Sequence, residues 1–448
     1  MKKNITLRGA ALAAFLSVSF MSQAQEQPRK FGKIPMTLNE YGAIRCATTE
    51  NEQILSESYS TRADKAQFES WISQKMQEGA LERDPKSGNA IYMIPVVVHV
   101  IHNGDAVGQN ENISDAQVES QIRVLNEDFG GMIGTPGEDL SGGLGGDTQI
   151  RFCLAKIDQF GSPTNGIDRV NGFVATYNDR DSVEGIKSDT SWDPTKYFNI
   201  WVVNWGGQIS DLLGYAQFPT QTTLQGVPPG GSNSTDGIAI CYRNFGYTNP
   251  SSAAPYNRGR TASHEAGHFL GLRHIWGDDG GCNSTDYVAD TPVAKEENRG
   301  CNEGYDSCPT QPGLDMVQNY MDYTNDACMY LFTKGQGVRM RTVLDNSPNR
   351  KSLLTSGVCG TASSQEFQYL LETTVYPNPT QDVLNISVAS ENMPDSYTIF
   401  NSLGQTITTV NNVTNASLTV NTSAYSNGIY FIKINKGAES RTIKFVKN

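Results

Sequence analysis

Five histidines occur in the 448-residue chain, and three of them, His264, His268 and His274, fall within residues 261–278, Thr-Ala-Ser-His-Glu-Ala-Gly-His-Phe-Leu-Gly-Leu-Arg-His-Ile-Trp-Gly-Asp. On a helix His264 and His268, four residues apart, share a face, so both imidazoles reach one metal ion, with Glu265 beside them. Glycine tolerates positive φ, so Gly271 lets the helix stop and the chain turn, bringing His274 round as a third ligand. Three neutral nitrogens suit zinc and leave its fourth tetrahedral position to water. The chemistry such a set supports is hydrolysis, with Glu265, which is not a ligand, taking the water's proton as it attacks a carbonyl. A chance His-Glu-x-x-His on an amphipathic helix is the bland explanation, and it fits poorly in a chain so sparing of histidine.

The helix needs a platform. Ile94-Pro95-Val96-Val97-Val98-His99-Val100-Ile101 is β-branched enough for a buried strand, which makes His99 and His102 strand residues rather than ligands. Ser114 with Gln117 predicts a capping box, followed by Val118, Ile122, Leu125 and Phe129 at helical spacing. Further strands are expected at residues 149–155, 198–204, 213–218 and 237–242. The glycine-rich runs 142–146 and 226–231 lack a following Gly-Lys-Ser/Thr and read as surface loops. The expected fold is α/β: a mixed twisted sheet and a backing helix ahead of the zinc helix.

A net charge of -12 argues against nucleic acid or an anionic membrane as partner, and 38% hydrophobic residues suffice for globular cores. Lys2, Lys3 and Arg8 precede an apolar run over residues 10–21 that ends in Ser22-Gln23-Ala24, the pattern of a signal peptide over 1–24. No other run is long and apolar enough for a transmembrane segment, so the expected product is exported. Export makes the eight cysteines readable as disulfides plus leftovers, with Cys282, Cys301, Cys308 and Cys328 crowded into a Gly-, Asn- and Asp-rich stretch. Cys46, in Ile44-Arg45-Cys46-Ala47-Thr48, precedes the histidine motif alone. It reads either as a pro-segment thiolate that takes the open zinc position or as a partner for Cys153, Cys241 or Cys359. Phe68, Trp71, Ile72 and Met76 predict an amphipathic helix from residue 63.

Beyond His274 the chain is rich in hard oxygen donors, Asp278, Asp279, Asn283, Thr285, Asp286, Asp290 and Thr291, and a calcium ion would pin such a loop, although the spacing is not that of an EF-hand. Asn319-Tyr320-Met321-Asp322-Tyr323 then follows. The three histidines with a later methionine turn resemble the metzincin clan. The words His-Glu-x-Gly-His-x-Leu-Gly-Leu-x-His, Cys-Asn-x-Thr-Asp-x-Val-x-Asp-Thr-Pro and Asn-Tyr-Met-Asp-Tyr resemble the pappalysin family over roughly residues 92–360.

That resemblance implies a zinc endopeptidase acting on protein or peptide substrates. It implies zinc on His264, His268 and His274, Glu265 as general base and acid, Met321 as the floor beneath the metal, and Tyr323 as donor to the oxyanion. It also implies the pairs Cys282–Cys308 and Cys301–Cys328, where sequence alone leaves three pairings open, and calcium held by Asp286 and Thr291. Gly214-Tyr215-Ala216 resembles the family's edge strand, onto which an extended peptide adds. Where relatives that cut before basic residues carry an acid just after the last cysteine of this loop, Cys328 is followed by Met329-Tyr330-Leu331-Phe332. Met329 is therefore expected to wall the specificity pocket and favour an apolar residue after the scissile bond.

Short alternating strands with turn residues resume after residue 375, and this stretch, ending Lys444-Phe445-Val446-Lys447-Asn448, resembles the C-terminal sorting domain of type IX secretion. The expected layout is a signal peptide 1–24, a pro-segment 25–62 whose end could extend to about 90, a catalytic domain 63–360, a linker 361–374 and a β-sandwich 375–448 handled by the type IX machinery. A Cys46-inhibited zymogen, secreted or held at the cell surface, is the implied product. The alternatives are a peptidase with a distant glutamate as third ligand, which His274 makes unnecessary, and an adhesin on the same scaffold, against which intact Glu265 argues.

Overall fold

Strand β3 (Tyr92–His102) is the longest of a six-stranded sheet and lies one strand in from its edge, and the computed structural model describes residues 28–82, 91–220, 233–247, 254–359, 373–388, 393–402, 404–414, 418–436 and 439–448. The expected signal peptide, the glycine run 226–231 and most of the linker lie outside the described residues. The sheet also contains β4 (Ile150–Leu154), β5 (Ile167–Asn171), β6 (Phe198–Val203), β7 (Gly214–Ala216) and β8 (Gly237–Cys241). Its order is β4-β3-β6-β8-β7, with β5 pairing the far half of β3. All of these pairings are parallel except β7 with β8, which is antiparallel at one edge. Parallel strands are covered on both faces and so read as unbroken apolar runs, and every residue of β6 and β8 is buried.

Helix α3 (Asp115–Gly130) packs on one face through Val118, Ile122, Leu125 and Phe129. Its cap is half of the expected box: Ser114 accepts from the Gln117 amide, while the Gln117 side chain donates to the Tyr242 and Phe245 carbonyls instead. On the same face lie α5 (Arg260–Phe269), buried along its whole length, and α6 (Lys334–Asn346), followed by the short α7 (Pro348–Leu353). The other face is covered by α4 (Arg180–Thr190) and by the N-terminal segment, with Phe31, Ile44 and Ala47 packed against Trp201, Trp205 and Tyr215. That segment holds the two-residue strands β1 (Lys30–Phe31) and β2 (Ile34–Pro35), then α1 (Thr48–Ser58) and α2 (Lys65–Glu82).

The C-terminal residues form antiparallel sheets only. One joins β9 (Thr374–Tyr376), β10 (Val383–Ser387) and β13 (Thr419–Asn421); the other joins β11 (Ser396–Asn401), β12 (Thr406–Asn411), β14 (Gly428–Lys436) and β15 (Glu439–Lys447). Alternate residues Leu384, Ile386, Ile399, Ile432, Ile434 and Phe445 make their shared core, as period-two patterning requires. An α/β catalytic region followed by an all-β region matches the fold expected from sequence.

One covalent tie was not readable in advance. Cys153 in β4 bonds Cys359, 206 residues later, while Cys46 and Cys241 remain free and buried. The bond ties the sheet edge to the end of the α6–α7 layer, where the Lys156 amide also donates to the Val358 carbonyl. Replacing both Cys153 and Cys359 by alanine should lower stability by about 2–5 kcal/mol, read by chemical denaturation, with the other two disulfides intact.

Candidate active site

Helix α5 begins at Gly259 in the left-handed region (φ 78°) and ends before Gly271 (φ +87°), where a Cβ would also lie 2.8 Å from Val343 Cγ2. Only glycine satisfies both conditions at position 271, and the turn it permits carries His274 back over the helix. The helix is anchored by Asp128 of α3, which accepts from Ser263 Oγ at 2.6 Å and from Arg260 Nη2 at 3.2 Å. The same carboxylate accepts from the Tyr320 hydroxyl at 2.9 Å, tying the helix to residues 319–323.

The three rings are fixed by their outward nitrogens. His264 Nδ1 donates to the Tyr320 carbonyl at 2.7 Å, His268 Nδ1 to the Leu272 carbonyl at 2.8 Å, and His274 Nδ1 faces the Asp278 carboxylate. A carbonyl only accepts, so the Nε2 atoms of His264 and His268 carry no proton. Burial, together with the neighbouring imidazoles, pushes both rings well below the ordinary histidine pKa and keeps them neutral. For Asp278, burial works the other way, yet its contact with the His274 ring holds its carboxyl below the usual carboxylate range. Trp276 stacks on His274 with ring centroids 4.4 Å apart and an interplanar angle of 6°.

These rings aim their Nε2 atoms at one point, with separations of 3.0, 3.2 and 3.2 Å. Two unprotonated nitrogens cannot hydrogen-bond, so the lone pairs converge and repel unless a cation lies between them. A tetrahedral ion with bonds of about 2.0–2.1 Å separates its nitrogen ligands by about 3.3 Å, close to the spacing seen, so the donor set fits a metal of that kind. Among the described residues, Cys46 Sγ joins the three histidines in one buried group whose ligand atoms all lie within 4.8 Å of one another.

Glu265 sits against this group. Its Oε2 accepts from Thr48 Oγ1 at 2.7 Å and from Cys46 Sγ at 3.4 Å, while Oε1 is buried and accepts no hydrogen bond. Burial pushes its carboxyl up to about 7. Met321 is fully buried, and a Cβ on Gly267 would lie 2.4 Å from its sulfur, so the methionine packs directly on the helix between the two histidines. The Tyr323 ring stands 4.9 Å from His274 and 5.7 Å from His264, centroid to centroid. Asp322 holds this turn rigid by accepting from the amides of Asn298 and Tyr323, each at 2.8 Å.

The loop after His274 is stapled by Cys282–Cys308 and Cys301–Cys328. Its oxygen donors disperse. Asp278 serves His274, Asp279 pairs with Lys65, and Asp290 caps α6 by accepting from Thr333 Oγ1 and the Gly335 amide. Asp286 and Thr291 do come together, with Thr291 Oγ1 2.8 Å from both carboxylate oxygens.

The N-terminal segment lies along β7 in parallel, with Ile44 opposite Leu212. The Leu213 amide donates to the Ile44 carbonyl at 2.9 Å, the Ala47 amide to Gly214 at 3.1 Å, and the Ala216 amide to Thr48 Oγ1 at 2.8 Å. Just before Cys46, the Arg45 guanidinium is buried in a pocket beside the histidines. It donates to Thr261 Oγ1, lies 3.5 Å from Asp326 Oδ1 and 3.6 Å from Met329 Sδ, and stacks 5.0 Å over the Tyr256 ring. Thr48 and Asp326 thus sit at the site without having been singled out there, and Asp278, read from sequence as a calcium-loop donor, serves His274 instead; Asp326 lies within a few residues of Asp322, but Thr48 is 217 residues from Glu265. His99, as expected, is a buried strand residue, bonded to Asp168 and Asn199.

A helix presenting two histidines one turn apart, a third after a glycine turn and a buried methionine turn below define a metallopeptidase of the metzincin type. The family model described as "Pregnancy-associated plasma protein-A" matches residues 181–345, and one described as "Secretion system C-terminal sorting domain" matches residues 374–448. Extracellular metalloproteases of Arthroderma otae and Neurospora crassa are 32% and 37% identical, over 55% and 45% of this chain and 76% and 68% of their own. Mature mirolysin of Tannerella forsythia, solved in complex with a cleaved peptide, is 43% identical, covering 59% of this chain and 96% of its own with a TM-score of 0.51. Promirolysin is 38% identical, covering 69% and 97% with a TM-score of 0.55. The chain belongs to the pregnancy-associated plasma protein-A, or pappalysin, family: it is a metalloendopeptidase, secreted or held at the cell surface. No helix among the described residues is long and apolar enough to cross a membrane.

Proposed function

We propose that the chain is a zinc endopeptidase made as a Cys46-inhibited zymogen, with residues 25–82 as its pro-segment. The observation that carries this reading is the joint position of Cys46 Sγ beside three converging imidazoles and Thr48 Oγ1 on Glu265. Zinc held by His264, His268 and His274 would act as a Lewis acid, polarising a peptide carbonyl and lowering the pKa of a water. Glu265, whose carboxyl burial raises to about 7, takes the proton of the attacking water and returns it to the leaving nitrogen. Tyr323 donates to the oxyanion, and Met321 supports the histidines from below. In the zymogen Cys46 is the fourth ligand, and Thr48 occupies both Glu265 and the edge-strand amide of Ala216 that an extended substrate would use.

Promirolysin is similar to more of this chain than mature mirolysin is, 69% against 59%, which accords with a pro-segment in addition to a catalytic domain. On this reading the cut falls after α2, within the range up to about residue 90 expected from sequence, and the catalytic domain begins near β3. We further propose that Asp286 and Thr291 hold calcium, since burial pushes the Asp286 carboxyl up to about 7 and a cation would relieve it. The C-terminal sandwich is read by type IX secretion machinery, in line with the sorting-domain match.

For the specificity pocket, we propose a basic rather than an apolar occupant. Met329 lines it, but its sulfur lies against a guanidinium, and the fully buried Asp326 carboxylate balances that charge. A pocket that accepts Arg45 accepts a basic substrate residue after the scissile bond, because an apolar occupant would leave Asp326 buried and unpaired by any side-chain cation. Two outcomes are expected. Casein hydrolysis by the matured protein should vanish in Glu265→Ala, and equal activity in the two would sink the mechanism. Digestion of a proteome-derived peptide library should give cleavage before Arg or Lys, with kcat/KM on such peptides falling at least about 10-fold in Asp326→Asn; a dominant apolar residue would restore Met329 as the selector.

A further inference from the structure

Helix α2 carries a second attachment that the active-site plug does not explain. Its Glu69 is 5% exposed and accepts from Arg273 Nε at 2.6 Å and from Arg339 Nη1 and Nη2 at 2.6 and 2.8 Å. Arg339 in α6 also donates from Nε to the Gly271 carbonyl at 2.8 Å, so it is held in place whether or not Glu69 is present. Arg273, next to His274 in sequence, stacks its guanidinium 4.8 Å over the Phe218 ring. Beside this cluster Phe68 and Ile72 pack on Phe218 and Val343, and Lys65 donates to the Gly277 carbonyl and Asp279. None of these bonds involves the histidines, Glu265 or Cys46.

Two preset guanidiniums on an apolar ledge form a fork that matches one carboxylate. Loss of that carboxylate would leave two cations together in a site built for an anion, and truncating one partner of a buried charged cluster mainly speeds dissociation. We propose that Arg273 and Arg339 form a carboxylate-binding exosite, outside the catalytic cleft, whose ligand is Glu69 of α2 and which keeps the cut pro-segment bound to the enzyme. The proposal rests on residues 25–82 being the pro-segment. Cleavage of the chain after α2 is then insufficient for activation: the helix must leave the exosite before Cys46 and Thr48 can leave the cleft.

The test uses the full chain with a recognition sequence for an added protease placed between residues 83 and 90. After cutting, the wild-type segment should co-elute with the enzyme and casein hydrolysis should stay low. In Glu69→Gln the segment should leave roughly 30-fold faster or more, with activity rising in step. In Cys46→Ser the segment should stay bound and casein hydrolysis should stay low, because Glu69 still holds α2 while Arg45 and Thr48 still fill the cleft. Equal release of the wild-type and Glu69→Gln segments overturns the exosite. Full activity with the wild-type segment still bound overturns the latency reading and leaves the exosite standing. Should Glu69→Gln not fold, excess synthetic peptide spanning residues 65–82 should block rebinding of the segment to the cut wild-type chain, and the same peptide with Glu69→Gln should be at least about 30-fold less potent; equal potency again overturns the proposal.

Discussion

Everything in the catalytic region depends on holding three lone pairs at one point. The Nε2 atoms of His264, His268 and His274 approach within 3.2 Å of each other, an arrangement that neutral imidazoles resist unless a cation sits between them. Each ring is denied an alternative, because its Nδ1 is committed to a carbonyl or to Asp278. Those partners come from three places: the helix's own following turn, the methionine turn and the start of the stapled loop. Asp128 of α3 then binds helix α5 and Tyr320 together, so the sheet and its backing helix set the site's geometry at one remove.

The second constraint is the open edge of β7. An edge strand offers unpaired amides and carbonyls to any extended chain. Here residues 44–51 satisfy that edge, with Asn51 Nδ2 donating to the Ala216 carbonyl and Thr48 bridging Ala216 to Glu265. On our reading one segment therefore blocks the metal position, the base, the strand edge and the pocket at once. On the same reading Arg45 stands where a basic substrate residue would, since it brings a basic group to Asp326.

Much of the site was legible because its residues lie close together in sequence. The histidine spacing and the glycine turn could be read from periodicity and motif, and Met321 and the crossed disulfides from family resemblance. What escaped was carried by contacts that sequence order conceals. Helix α1 buries only Thr48, Asn51 and Leu55, so it has no apolar stripe to read, and its role is polar. Strand β5 and helix α4 are short and charged, with Ile167–Asn171 only partly buried. Cys153 and Cys359 are 206 residues apart, and Glu69 meets Arg339 across 270. The pocket was read from Met329 alone, whereas Asp326, two residues before Cys328, lies against the same Arg45 guanidinium.

The central claim, that Cys46 completes the metal site of the uncut chain, is tested most directly by X-ray absorption at the zinc edge on the full-length protein. The account predicts one sulfur at about 2.3 Å and three nitrogens at about 2.0–2.1 Å, with the sulfur lost in Cys46→Ser. A shell of nitrogen and oxygen alone in the wild-type chain would contradict it.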